Sequence, residues 1–321
     1  MRVVSRRAAT NPLPTAFCHG ATLLPRPDGS VLGAWFGGTQ EGLPDSGIYV
    51  ARLPAEQTWE PPRLVAPPDG YPCGNPVLFE GAPGVIWLGY FRVWGEWCTG
   101  GKPCARLSLD GGVTWGPELL LLDRSGVLTK SKPIRVGEEL LLPVYDEWRW
   151  QVGIARLDVL RHGANWRFDD VAIGAGSGVP MIQGTLVEVA PPAHLLMLMR
   201  TKVGRLWQVE SQDGGRTWQG PRATSLRNPN AGADMTRLPD GRLWLCFNDT
   251  DRGRDPMEWD LRYPLCIAES ADAAASWRNI LTLEEGPGEY SYPAIVTDAA
   301  GRVHVAYTHL RREIRHTIIE P

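Results

Sequence analysis

Long apolar runs are missing from this chain of 321 residues. A membrane helix needs roughly 20 consecutive apolar residues, and no stretch approaches that. The N-terminal Met1-Arg2-Val3-Val4-Ser5-Arg6-Arg7 carries charge with no apolar segment behind it. The reading therefore expects no signal peptide and no membrane partner, and places the chain in the cytoplasm. Helical periodicity is equally scarce: no segment repeats its apolar residues three and four apart over a convincing length. The six cysteines, at 18, 73, 98, 104, 246 and 266, show no metal spacing, and no His/Cys/Asp cluster does, so no metal and no cofactor is implied. Cys98 and Cys104 could close a small loop in an exported chain; without an export signal, reduced thiols are expected. Excess charge is lacking as well. A net charge of −3 argues against nucleic acid or an anionic membrane as the main partner.

Turn formers and tryptophan are abundant instead. The 36 glycines and 28 prolines are spread along the whole chain, as many short strands with many turns require. A 43% hydrophobic share supplies a large core. Fourteen tryptophans offer aromatic faces of the kind that carbohydrate sites use. The pattern S-x-D-x-G-x-T-W stands at Ser108-Leu-Asp-Gly-Gly-Val-Thr-Trp115 and at Ser211-Gln-Asp-Gly-Gly-Arg-Thr-Trp218, with a worn copy at Ser270-Ala-Asp-Ala-Ala-Ala-Ser-Trp277. The Asp can accept backbone N–H bonds from residues just ahead. Glycine supplies positive φ, and the Trp folds back over the hairpin. Such a box clips a turn; it carries no chemistry.

The boxes recur. Trp59, Trp115, Trp166, Trp218 and Trp277 lie 51 to 59 residues apart, with Trp59 and Trp166 ending degenerate copies. Pro27-Asp28-Gly29 and Pro239-Asp240-Gly241 link apolar strands in phase, as do residues 298–301. First strands start near residues 20, 76, 133, 184, 234 and 293. Six units of about 50 residues match four-stranded blades. The sixth is too short, and residues 3–8 would supply its missing strand. The sequence predicts one domain over residues 1–321: an all-β, six-bladed β-propeller closed by its N-terminal strand.

Boxes, period and closing pattern together resemble the bacterial sialidase (neuraminidase) family of the Asp-box, or BNR-repeat, type, over residues 17–316. The resemblance implies a site of three arginines gripping a carboxylate, an Asp acid/base, and a Tyr nucleophile activated by a Glu. Residue by residue, it assigns arginines to Arg200 and Arg262, with Arg252 and Arg254 as competitors for the latter. The acid/base falls on Asp45, with Glu41 as backup, and the nucleophile on Tyr290. The pattern departs twice. The first arginine is missing from Cys18-His19-Gly20, and the activating Glu falls on Gln183, whose amide cannot act as a base. Glu289, Asp234 or His19 could substitute.

Independently, the strand starts put polar groups at matching places around a central channel: His19, Asn75, Lys132, Gln183, Asp234 and Tyr292. Lys130 and Lys132, two apart on a strand, would face one pocket, and Trp94, Trp97, Trp148 and Trp150 would flank it. Three functions remain open. The first is a sialidase-like, exo-acting hydrolase of a terminal acidic sugar. The second is a lyase acting on uronates, with His19 and Tyr290 in the chemistry. The third is a non-catalytic carbohydrate-binding propeller. The ligand expected in each is a small molecule or glycan.

Overall fold

Pro27-Asp28-Gly29 and Pro239-Asp240-Gly241 make the hairpins that their residues call for. The amides of Gly29 and Gly241 donate to the carbonyls of Arg26 and Leu238, both at 3.0 Å, and both glycines take the positive φ that the turn requires. The computed structural model describes residues 1–10, 15–55, 57–158, 166–251 and 262–321, the side chains of 170 and 171 excepted. Among these, the only helix is a 3₁₀ turn, Ala175–Ser177. All else of regular structure is strand.

The strands form six antiparallel sheets, the blades of a six-bladed β-propeller. The first blade comprises Phe17–Pro25, Val31–Gly38, Gly47–Leu53 and Arg63–Ala66, and the second Cys73–Glu80, Ile86–Val93, Gly101–Ser108 and Leu119–Leu120. In the third, the inner strand is split into Val127–Thr129 and Ile134–Val136, followed by Glu139–Asp146, Gln151–Asp158 and Trp166–Ile173. The fourth comprises Met181–Ala190, His194–Thr201, Arg205–Ser211 and Gln219–Arg227, and the fifth Asp234–Arg237, Leu243–Asn248, Leu265–Ser270 and Arg278–Glu284. The sixth comprises Tyr290–Thr297, Val303–His309 and Glu313–Glu320, and Arg2–Ala8 completes it, pairing antiparallel with Glu313–Glu320. The ring closes by the N-terminal strand, as the repeat length demands.

The core lies at the seams between blades. Trp35, Leu23 and Leu53 of the first blade pack with Val296 and Ala306 of the sixth. Phe36 and Ile48 pack with Leu78 and Tyr90 across the next seam, and the other four seams are filled in the same way. The box tryptophans sit in these seams: Trp115 against the first blade, Trp218 against the third, Trp277 against the fourth. Trp59 and Trp166 do the same without intact boxes. In the intact box at Asp213, the carboxylate accepts from the amides of Arg216 and Thr217 and from the Thr217 hydroxyl. Arg156 of the third blade donates to the carbonyls of Gly214 and Gly215 and ties that box to its neighbour.

A bulge aims side chains at the axis. Four inner strands shift register at the same place: between His19 and Thr22, Gly74 and Val77, Ile182 and Thr185, and Ser291 and Ala294. The first inserted residues are Gly20, Asn75, Gln183 and Tyr292, and all four have positive φ. A bulge turns the following side chain away from strict alternation. Asn75, Gln183 and Tyr292 thereby enter the channel, whereas in the first blade the position is a glycine.

Candidate functional site

The channel is plugged in its middle. Buried Lys130 reaches across it and donates to the carbonyls of Ala233 (3.0 Å) and Pro293 (2.7 Å); burial lowers its pKa to about 8. Asp234 beside it accepts from Lys132 (2.8 Å), Thr185 (2.8 Å) and the Ile295 amide (2.9 Å). Burial works against the Asp234 carboxylate, but Lys132, Lys130 and these hydrogen bonds outweigh it and hold its pKa below the usual range. These ties link the third, fourth, fifth and sixth blades and floor the funnel above them.

Above the plug opens a cavity of about 710 Å³, lined by residues from all six blades. Tyr292 stands at its base. Its phenol oxygen accepts from Arg200 Nη1 (2.9 Å) and Gln183 Nε2 (3.0 Å). The same Arg200 nitrogen donates to Gln183 Oε1 (3.0 Å), and Arg200 Nε donates to Asn230 Oδ1 (2.6 Å). An arginine can only donate, so its contact fixes the Gln183 amide with the NH₂ toward the phenols. Gln183 Nε2 also lies 3.4 Å from the Tyr145 hydroxyl, which Asn75 approaches at 3.3 Å. Burial pushes the Tyr145 phenol well above its ordinary pKa.

Two further guanidiniums line the same cavity. Arg262, buried, has its Cζ 5.6 Å from the Tyr292 ring centre and pairs with Glu289 at 3.0 Å. Its Nε is buried without a hydrogen-bond partner among the described residues. Arg311, from the turn joining the last two strands of the sixth blade, pairs with Glu289 and Glu41 and lies over the Phe17 ring. Burial disfavours its charge, but Glu41 and Glu289 outweigh that and hold its pKa above the ordinary value. The Arg311 carbonyl accepts from the Cys18 amide at 3.0 Å. Arg311 therefore stands beside the very step of the first blade that lacks an arginine.

Backbone strain concentrates here. Of the twelve non-glycine residues with positive φ among the described residues, seven line the cavity: Asn75, Cys98, Trp150, Gln183, Asn230, Tyr292 and Arg311. Each such conformation costs about 1–2 kcal/mol and persists where surrounding structure enforces it, most often at functional sites.

The description "BNR repeat-like domain" matches residues 29–305. The chain belongs to this BNR repeat-like family. No curated protein matches it by sequence. Among solved structures, a Hadza microbial sialidase shares 18% identity with a TM-score of 0.78, over 98% of this chain and 68% of that one. A protein of unknown function from Dyadobacter fermentans shares 17% identity at a TM-score of 0.76, over 99% and 98% of the two chains. The intramolecular trans-sialidase from Ruminococcus gnavus, in complex with oseltamivir carboxylate, shares 14% at 0.72, over 98% of each. At these identities the likeness establishes the fold.

Within this BNR repeat-like propeller, Glu41, Asn75, Gln183, Arg200, Arg262 and Tyr292 line the cavity, as do Trp97 and Trp150. The other expected residues lie elsewhere. Asp45 is not in the lining; its carboxylate accepts from the amide and hydroxyl of Thr39 and shapes the loop that carries Glu41. Tyr290 packs into the seam between the fifth and sixth blades, against His309. The bulge after Ser291 brings Tyr292 to the cavity in its place. His19 is buried behind Tyr292, ring centres 4.3 Å apart, and bonded to Thr308. Burial, together with Arg311, Arg262, Arg200 and Lys130, drives its pKa well below 6.5, so it stays neutral. Lys132 and Asp234 belong to the plug, and the break in the third blade's inner strand separates Lys132 from Lys130. Lys132 faces a second cavity, at the opposite mouth. Trp94 packs on Tyr71, and Trp148 is exposed. Arg252 and Arg254 fall outside the described residues.

Sequence reasoning missed Arg311, Glu147, Tyr145, Lys202 and Asn230 in the lining. Positive φ at Asn230 had a signal, since Asn tolerates that region. The others sit on turns and strand ends that only the closed ring brings together. All six cysteines are free thiols. No helix among the described residues is long and apolar enough to cross a membrane. Among the described residues, no cluster of three His, Cys, Asp or Glu could hold a metal ion.

Proposed function

We propose that the funnel is a carbohydrate site of glycosidase type, taking the terminal, acidic sugar of a glycan. One observation carries the reading: Arg200 and Arg262 flank Tyr292, and Arg311 shares Glu289 with Arg262, in the lining of one cavity of sugar size. Planar guanidiniums match a carboxylate bidentately, and this trio supplies three guanidiniums where the resemblance to sialidases found only two, Arg262 and Arg311 being balanced by Glu289 and Glu41. Among the described residues, Arg200 hydrogen-bonds neutral oxygens only, so its charge is available to an anion. Trp97 and Trp150 supply aromatic walls for a sugar ring. Tyr292, rather than Tyr290, faces the reacting carbon. The reading needs no metal and no cofactor.

Gln183 favours a second reading. It stands where a hydrolase of this kind would carry the carboxylate that takes the phenol proton. A lyase has no need of that carboxylate: it removes a proton α to a uronate carboxylate and stabilises the enolate with cations and amides. Arg200 and Gln183 flanking one phenol oxygen suit that chemistry.

A panel of fluorogenic sialic and uronic acid glycosides, together with uronate oligosaccharides read in the near ultraviolet, tests both. The hydrolase releases fluorophore and reducing sugar without new absorbance. The lyase generates an unsaturated, absorbing product. Binding of acidic sugars with neither signal leaves a carbohydrate-binding propeller, and absence of binding overturns the proposal.

A further inference from the structure

The second cavity has its cations committed: Lys132 to Asp234, Arg26 to Glu80, and Arg135 to the Gly81 carbonyl. The buried pair His304 and His316 lies away from either cavity. Glu147 in the funnel is different. Of the cavity's carboxyls, Glu41 is committed to Arg311. Glu289, behind the lining, is committed to Arg262, Arg311 and Ser291. The Glu147 carboxyl lines the cavity with no hydrogen bond or ion pair among the described residues.

Its position is built rather than incidental. The Glu147 amide donates to the Gly126 carbonyl at 2.8 Å. Asp146 accepts from the amides of Trp148 (3.0 Å) and Arg149 (2.9 Å), which makes the turn. The Trp148 indole N–H donates to the Thr99 carbonyl at 3.1 Å, anchoring the loop to the second blade. Trp150 follows with positive φ and its ring under Lys202, 3.8 Å from Nζ to ring centre. Glu147 is thus carried on a loop whose backbone is tied down, and burial raises its pKa above the ordinary glutamate value against the opposing pull of Arg200 and Lys202.

Resting on the hydrolase reading above, we propose that Glu147 is the proton donor to the leaving group, a role played from the third blade rather than by the first-blade Asp45. The glycosidic C–O bond breaks with its electron pair passing to the leaving oxygen, which takes the Glu147 proton. Water then adds its oxygen to the anomeric carbon, and its proton returns to the Glu147 carboxylate. A positioned acid of this kind contributes about 10²–10⁴-fold, most of it for poor leaving groups.

The test compares alkyl and 2,4-dinitrophenyl glycosides of N-acetylneuraminic and glucuronic acid. In Glu147→Gln, kcat/KM on the alkyl glycoside should fall by about 10²-fold or more and on the dinitrophenyl glycoside by less than about 10-fold. The alkaline limb of the pH profile should vanish as well. Asp45→Asn should keep the wild-type dependence on leaving group. Equal losses on both substrates, or no loss on either, overturn the assignment. Should Glu147→Gln fail to fold, Glu147→Asp is read instead and must slow the alkyl glycoside selectively. If the wild type cleaves neither substrate, the hydrolytic reading itself fails, and this role with it.

Discussion

Tyr290 and Tyr292 differ by two positions, and strict alternation would give them the same face. The bulge between Ser291 and Ala294 separates them. Tyr292 takes positive φ and turns into the cavity, while Tyr290 packs in a seam. If the phenol takes part in chemistry, Tyr292→Phe lowers turnover of the active substrate by about 10²-fold or more, and Tyr290→Phe leaves it near wild type. Steady-state kinetics on both variants reads this; the reverse pattern would restore the assignment that the sequence pattern favoured. The tyrosine pair also shows where sequence reading stops. A Tyr-Ser pattern marks the right strand, but no residue type signals that the strand bulges. Arg200 and Gln183 were legible because one ends and the other opens an apolar strand, whereas Arg262 lies in the loop before Leu265–Ser270 and was pointed to by the resemblance alone. Arg311 was not, because only ring closure carries the sixth blade's turn to the first blade. An Asp after Pro reads the same whether it shapes a loop or faces a ligand, and Asp45 bonds Thr39 within its own loop.

At the scale of single elements, the turns of the boxes were legible, since the bonds of their own Ser, Asp and Thr run between residues at most four apart, whereas the bonds from Arg156 to Gly214 and Gly215 were not. The worn copy makes a test. Its Asp272 keeps the bonds to Ser270 and Ser276, yet Ala273 and Ala274 occupy the positive-φ positions that glycines hold in the intact boxes. Ala273 is exposed, so its methyl contributes little packing. Ala273→Gly should stabilise the protein by about 1 kcal/mol, read as an increase in denaturation midpoint. The closing sheet makes another. His304 and His316 are buried together, Nδ1 to Nε2 at 3.1 Å. Asp298 and Arg302 face the first, and Arg7 and Trp59 the second. Burial lowers both pKa values, that of His316 to about 3, with Asp298 opposing the change at His304. Folding makes both rings harder to protonate, so the unfolded chain binds protons first as pH falls. Their contribution is intact above about pH 6.5 and is lost progressively below it, each tenfold drop in a ring's proton affinity on folding corresponding to about 1.4 kcal/mol. Melting midpoints should therefore decline between pH 6.5 and 5, before most carboxylates titrate, and His316→Phe should flatten that decline. An unchanged slope would show that the pair does not set acid stability.

For the whole molecule, length and repeat together left little freedom. Six units with one strand short can close only if an end strand joins the last blade, and Arg2–Ala8 does so. The ring then imposes what no single blade encodes. Six seams fix the blades against one another, a plug of Lys130, Lys132 and Asp234 floors the funnel, and three arginines from the fourth, fifth and sixth blades line one cavity, two of them against Tyr292. The central claim is that this cavity recognises a sugar carboxylate. Titration calorimetry with N-acetylneuraminic acid and glucuronic acid, each beside its methyl ester, tests it most directly. The free acid should bind the wild type about 10-fold or more tighter than its ester, and Arg200→Met should erase most of that preference, since a hydrogen bond to a charged group is worth about 1.5–3 kcal/mol. Equal affinity for acid and ester, or a preference that survives Arg200→Met, would contradict the account.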